Sequence, residues 1–210
     1  MKKWALTVAL LIGGFSATAI YCTTGEKMQE VKVDLGNNIQ ETAEASGAPR
    51  FSVESYWGAK IYETLDMPPD ISVRFNRSNH NVVVKSLYSL TMYADSENND
   101  NLGVERVELS FYPAAVKTHQ EAQALVSSII TQFNQGKWRR HIDKTCPAIT
   151  GRSVYLDKDG KIDGSCSLDP DYKMSMQDWL TLMPMTQRYD WLGEEVLASL
   201  TFVLAMTVED

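Results

Sequence analysis

A chain of 210 residues, 44% of them hydrophobic and with no low-complexity tract, is long enough to bury one good core, which excludes a disordered or fibrous protein. The net charge of -7 leaves no basic face on which nucleic acid would condense. It suits plain solubility or a basic protein partner.

Met1-Lys2-Lys3 is a short positive region, and Trp4 to Tyr21 follows without a charge. This is the pattern of a secretory signal or a membrane anchor with its lysines left in the cytoplasm. Three fates are compatible with it. Ala17-Thr18-Ala19 forms a small-x-small cleavage site, and the apolar run is just long enough to span a bilayer. Cys22 stands where a bacterial lipoprotein carries its acylated cysteine, although Tyr21 replaces the small residue expected before it. All three place the rest of the chain on the periplasmic side of a bacterial envelope. Residues 23–50, broken by Gly36, Asn37, Asn38, Gly47 and Pro49, read as a tether with a short strand at Val31–Leu35. The single folded domain is expected over 51–210.

Strands dominate next. Lys60–Glu63 stops at Met67-Pro68-Pro69, Ile71–Phe75 alternates in period two, and Val82–Val84 and Leu87–Tyr93 continue the pattern. Asp95 to Asn101 has no apolar residue and reads as a loop, and Val104–Phe111 as another strand. The period then changes. Thr118 and Glu121 form a capping box, and Ala122, Leu125, Val126, Ile129, Ile130 and Phe133 recur on one helical face up to Gly136. Lys137, Arg139 and Arg140 lie beyond its carboxyl end, where cations complement the helix dipole. Ser153–Leu156 and Lys161–Asp163 flank Asp157-Lys158-Asp159-Gly160 as a hairpin. Met174–Met183 reads as a shorter helix capped by Ser175 with Asp178 in its first turn, and Val196–Val208 as a closing strand, with a buried helix the alternative that periodicity alone leaves open. The expected fold is α+β: an antiparallel sheet packed by one long helix over about 118–135, a stapled hairpin and a second short helix.

The staple is Cys146 with Cys166, the only cysteines outside the export segment, which pair in an oxidising compartment. Closing that loop adds roughly 3 kcal/mol in the chain-entropy description. Aligning Gly160 with the glycine of an EF-hand puts Asp157, Asp159 and Asp163 on ligand positions, but Tyr155 and Cys166 occupy the first and last, where carboxylates are required. His80, His119 and His141 are scattered without metal-ligand spacing, and no nucleophile elbow or phosphate-cradling loop is present. No enzyme activity, cofactor or metal is therefore expected. Trp57, Trp138, Trp179 and Trp191 are each read as core, although as a set they permit a binding module.

The pattern Thr118-His119…Glu121-Ala122, Phe133…Gly136-Lys137-Trp138, Cys146-Pro147…Thr150-Gly151-Arg152-Ser153, Leu168-Asp169-Pro170…Tyr172, Asp178-Trp179-Leu180, Trp191-Leu192-Gly193 resembles that of small exported bacterial proteins encoded beside type VI secretion effectors. The resemblance implies an immunity protein, one that neutralises a toxin delivered to the periplasm, and carries over no binding residues. Candidate contacts with a secreted effector are the carboxylates of two loops: Asp95, Glu97 and Asp100, and Asp157, Asp159, Asp163, Asp169 and Asp171. The alternative is a structural or assembly factor of the envelope or of a secretion apparatus.

Overall fold

Period-two sequence builds most of the molecule. The structure, a computed structural model, describes residues 4–12 and 30–204, apart from 76, 78, 97–100, 112–115, 158, 160, 163–165, 183 and 195. The strands are β1 (Trp4–Ile12), β2 (Glu30–Val33), β3 (Ser52–Tyr56), β4 (Ala59–Thr64), β5 (Ser72–Phe75), β6 (Val82–Lys85), β7 (Leu87–Asp95), β8 (Arg106–Phe111), β9 (Arg139–Arg140), β10 (Gln187–Gly193) and β11 (Val196–Leu204). The helices are α1 (Ile39–Ala45), α2 (His119–Gln135) and α3 (Met176–Leu182). The class is α+β, as expected, with a Cys146–Cys166 disulfide whose Cα atoms are 5.8 Å apart.

The large sheet runs β3-β4-β7-β8-β1-β11-β10-β9, and a small sheet runs β2-β5-β6. Neither is purely antiparallel, because β1 is parallel to both β8 and β11, and β2 is parallel to β5. The large sheet is amphipathic. Met92 faces Val107 and Leu90 faces Leu109 on the buried side, whereas Tyr93 faces Arg106 and Thr91 faces Glu108 on the other. On β11, Val196, Ala198, Leu200 and Phe202 are buried, and Ser199 lies level with Asp190 of β10.

Helix α2 buries Ala122, Val126, Ile129 and Phe133, and Phe133 stacks on Trp191 of β10 at 4.2 Å. Thr118 Oγ1 accepts from the Glu121 amide at 3.2 Å, and Glu121 Oε2 accepts from the Lys117 amide at 2.7 Å, one residue earlier than an ordinary capping box reaches. Gly136 ends the helix for a reason other than left-handed backbone: its φ is -82°. A Cβ there would stand 2.9 Å from Trp138 Cδ1 and 3.2 Å from the Asn79 carbonyl. On the other flank of α2, the Gln132 side chain accepts from the Val83 amide at 2.8 Å and donates to its carbonyl at 3.0 Å, so it completes the edge of β6 as a strand would.

Two expectations are corrected, and a third segment takes a form the sequence did not suggest. The tether of 23–50 is folded over its described part: Val31, Val33, Leu35 and Ile39 are fully buried, and α1 is capped by Asn38, so the folded region begins well before residue 51. Among its described residues the expected hairpin at 153–163 is not a pair of strands. Gly151–Val154 is a 3-10 helix, and a single bridge joins Leu156 to Ile162. Trp4–Ile12, the start of the expected signal or anchor, is a strand in the middle of the large sheet. Cys22 and the Ala17–Ala19 cleavage site lie outside the described residues.

The two sheets meet where Gly193 of β10 packs against His80 and Trp138. A Cβ on Gly193 would lie 2.6 Å from Trp138 Cε3 and closer still to His80 Cδ2. Gly193→Ala is expected to cost about 1–3 kcal/mol by overpacking. Urea unfolding checks this, and an unchanged midpoint would show that the ring cluster is not tight.

Candidate functional site

The sequence Tyr56-Trp57-Gly58-Ala59 joins two alternating strands through two residues, Trp57 at φ 51° and Gly58 at φ 74°. Two consecutive positive φ values are the signature of the type I′ turn, whose twist matches that of a hairpin. Glycine adopts this without strain, but tryptophan does not, so the tip holds a backbone cost of order 1 kcal/mol. The turn drives Trp57 outward to 87% exposure, with Tyr56 at 66% and Val53 at 50%. The two rings lie 5.7 Å apart. Trp57 was expected in the core; Trp138, Trp179 and Trp191 are there, and Trp57 is the exception. The missed signal was Gly58 after an aromatic pair.

The tip is held by its neighbour. Ser96 donates from both its amide and its hydroxyl to the Gly58 carbonyl, at 2.7 and 2.6 Å. Ala59 stands between Tyr56 and Asp95 in the register of β3, β4 and β7, so Asp95 lies level with Tyr56 and about two strand spacings, roughly 10 Å, away. One of the expected acidic contacts is therefore beside the aromatic tip. Glu97 and Asp100, in the same loop, lie outside the described residues. Strand β3 ends the sheet and is exposed throughout its length. An edge of this kind offers backbone hydrogen bonds to an added strand.

The second group of carboxylates is elsewhere. It follows β9, at the opposite end of the sheet from β3, so the described Asp157, Asp159 and Asp171 do not share a patch with Asp95. Asp157 and Asp159 are exposed, and Asp157 Oδ1 accepts from the Asp159 and Lys161 amides at 2.9 and 2.8 Å, which shapes the turn. Asp171 is exposed and accepts from Asn134. Asp163 lies outside the described residues. Asp169 is corrected: it is 5% exposed and accepts from the Gly151 amide at 2.6 Å and from the Asp171 amide, so it holds the segment together and is not a contact. Gly151 needs its glycine, since it donates this bond from φ +69°.

Asp178 is the hub of the same segment. It accepts from Arg152 Nε at 3.1 Å, from Tyr172 at 3.1 Å and from Tyr155 at 3.4 Å, while its amide donates to Ser175. Burial pushes its carboxyl up, but the bonds from Arg152, Ser175 and Tyr172 outweigh that and hold it below the usual aspartate range. Burial, the bond with Tyr172 and the Asp178 charge raise Tyr155, which stays a neutral donor. A groove of about 510 Å³ runs between α2 and residues 170–174, floored by Val126, Ile130, Trp179 and Tyr189. Its flanking amides are spent on the strap itself, Gln123 donating to the Met174 carbonyl and Asn134 to that of Pro170. Among the described residues no group of three or more His, Cys, Asp or Glu is placed to hold a metal ion, and no helix is long and apolar enough to cross a membrane.

Comparison with family models, with characterised proteins and with solved structures finds no match. The surface described above is thus the ground for a functional reading.

Asp178 also sets an acid limit. Because its folded pKa lies below the unfolded one, the stability it contributes is present above about pH 4 and is lost as pH falls through the folded value. Asp178→Asn is expected to lower stability at pH 7 by about 1–3 kcal/mol and to flatten its fall between about pH 5 and 2. Urea midpoints across that range check it, and a parallel pH profile in the two proteins would sink the assignment.

Proposed function

We propose that this chain is an exported, envelope-tethered immunity protein that binds a toxic secreted effector and neutralises it by occlusion, with the β3–β4 tip as its main contact. The observation that carries this reading is the solvent-held Tyr56–Trp57 pair, clamped by Ser96 and standing beside Asp95. Trp and Tyr are the side chains that most often dominate a protein interface. A tip fixed before binding loses little conformational freedom when it enters a cleft. The charge of -7 favours a basic partner and speeds encounter. The disulfide fits an oxidising compartment, in keeping with export. In the same reading α2 is the principal cover of the large sheet, and the exposed Asp157, Asp159 and Asp171 form a secondary acidic rim rather than the anchor.

The test is protection. An effector encoded next to this gene is expressed in the periplasm with and without the protein, and complex formation is measured in parallel. Protection and binding are expected with the intact chain. Trp57→Ala should weaken binding by about thirtyfold or more while leaving unfolding within about 0.5 kcal/mol, since the ring touches little of its own fold. If no neighbouring effector is toxic or bound, while endogenous envelope proteins copurify, the assembly-factor reading takes its place.

A further inference from the structure

Residues 4–12 hold two roles that cannot be filled at once. As the head of an uncharged run behind Lys2 and Lys3 they enter a membrane. As β1 they fill the gap between β8 and β11, Ala5–Ala9 pairing with Arg106–Ser110 and Trp4–Ile12 with Val196–Leu204. The fit is one of register. Leu6 stands level with the buried Val107 and Ala198, and Val8 with the buried Leu109 and Leu200. Thr7 stands level with Glu108 and Ser199, on the polar side of the sheet. Bulky and small residues therefore alternate in step with an amphipathic sheet.

When export removes this strand, β8 and β11 each expose a row of backbone donors and acceptors on their facing edges. Closing the gap directly requires the two halves of the sheet to move together by one strand spacing, about 4.8 Å. The rest of the fold resists that movement. The segment before α1 and the first residue of α1 are bonded to the β8 half by Gly36 N to Val104 O, Val104 N to Asn37 O and Ile39 N to Leu102 O, at 2.8 to 2.9 Å. The small sheet and its loops are tied to the other half by Lys137 N to Asn79 O at 2.9 Å and by the Phe75–Trp138 ring contact. One brace grips both halves and keeps the gap one strand wide.

We infer that in the exported protein the β8–β11 gap is a strand-acceptor site, taking an extended, uncharged segment of a partner protein about nine residues long and parallel to both lips. This rests on the exported, protein-binding reading above. The pattern of β1 over Trp4–Leu10 specifies the guest: bulky apolar side chains at alternate positions, with small or hydroxyl side chains between them, followed by a wholly apolar end at Leu11 and Ile12. A charged residue at a core-level position would be buried without a partner.

The full chain, expressed for export in a bacterium and purified from the envelope fraction, is illuminated with a lysine-flanked synthetic peptide of residues 4–12 carrying benzophenone in place of Val8. Saturable labelling of residues 106–111 and 196–202 is expected, and Leu6→Asp in the peptide should weaken it about tenfold. No saturable labelling of an envelope-located protein overturns the acceptor site and leaves the effector-binding reading standing. So does a benzophenone at position 8 of the exported full chain that crosslinks to its own 106–111, because the strand then never left. Recovery of the protein in the cytosol alone overturns both readings.

Discussion

Phe133 is the residue on which the two sheets depend. From α2 it stacks on Trp191 of β10 at 4.2 Å and meets Trp138 edge-on at 5.1 Å. Trp138 in turn touches Phe75 of the small sheet and His80 of the loop beyond it. On the other side the contacts continue through Tyr189 and Phe202 to Trp179 of α3. Stacked and edge-to-face rings contribute about 0.5–1.5 kcal/mol per pair beyond the area they bury. Their larger effect is geometric, because each ring admits only a few orientations of the next. Gly136 and Gly193 have no Cβ where Trp138 passes, so both glycines belong to the same arrangement.

Helix α2 and most strands were legible because their periods differ, 3.6 against 2, and each buries one face. Ser175 capping α3 and Thr118 capping α2 were legible from side-chain chemistry alone. The failures have separate causes. Residues 30–46 have the glycine and asparagine content of a linker, but Val31, Val33, Leu35 and Ile39 are spaced to fill the core beside the small sheet, a long-range fact that local composition does not hold. Before Asp157 the chain is governed by Asp169 and Asp178, which draw Gly151 and Arg152 into a 3-10 helix that runs into the expected strand at Ser153–Leu156. Carboxylates in a loop look alike in sequence whether they face solvent or accept buried amides. Asp169 and Asp159 differ only in what the fold brings to them.

The amino-terminal run was ambiguous for a deeper reason. A bilayer and the inside of a sheet reward the same residues, since both exclude charge and favour bulky apolar side chains. What separates them is alternation. A spanning helix gains nothing from Ala5, Thr7 and Ala9 standing between Trp4, Leu6, Val8 and Leu10, whereas a strand between a core and a polar face does. Trp4–Ile12 satisfies both descriptions, so its location depends on which environment reaches it first. In the proposed exported form its departure would leave edges that hydrogen-bonding chemistry will not leave empty in a braced sheet.

The arrangement of the large sheet also bears on how partners would be engaged. The aromatic tip lies at the β3 end, the stapled segment at the β9 end, and the gap filled by β1 between them. The tip needs no rearrangement, because Ser96 already fixes Gly58 and the strained Trp57 is held out of the core. In the proposed complex Asp95 would act through distance and salt, and so govern the rate of encounter more than the strength of the final contact. Affinity in that complex would rest on desolvating two rings in a partner's pocket. A surface of that kind is specific because a shallow or polar recess leaves the indole half wet, while a cleft deep enough to hold a substrate accepts it.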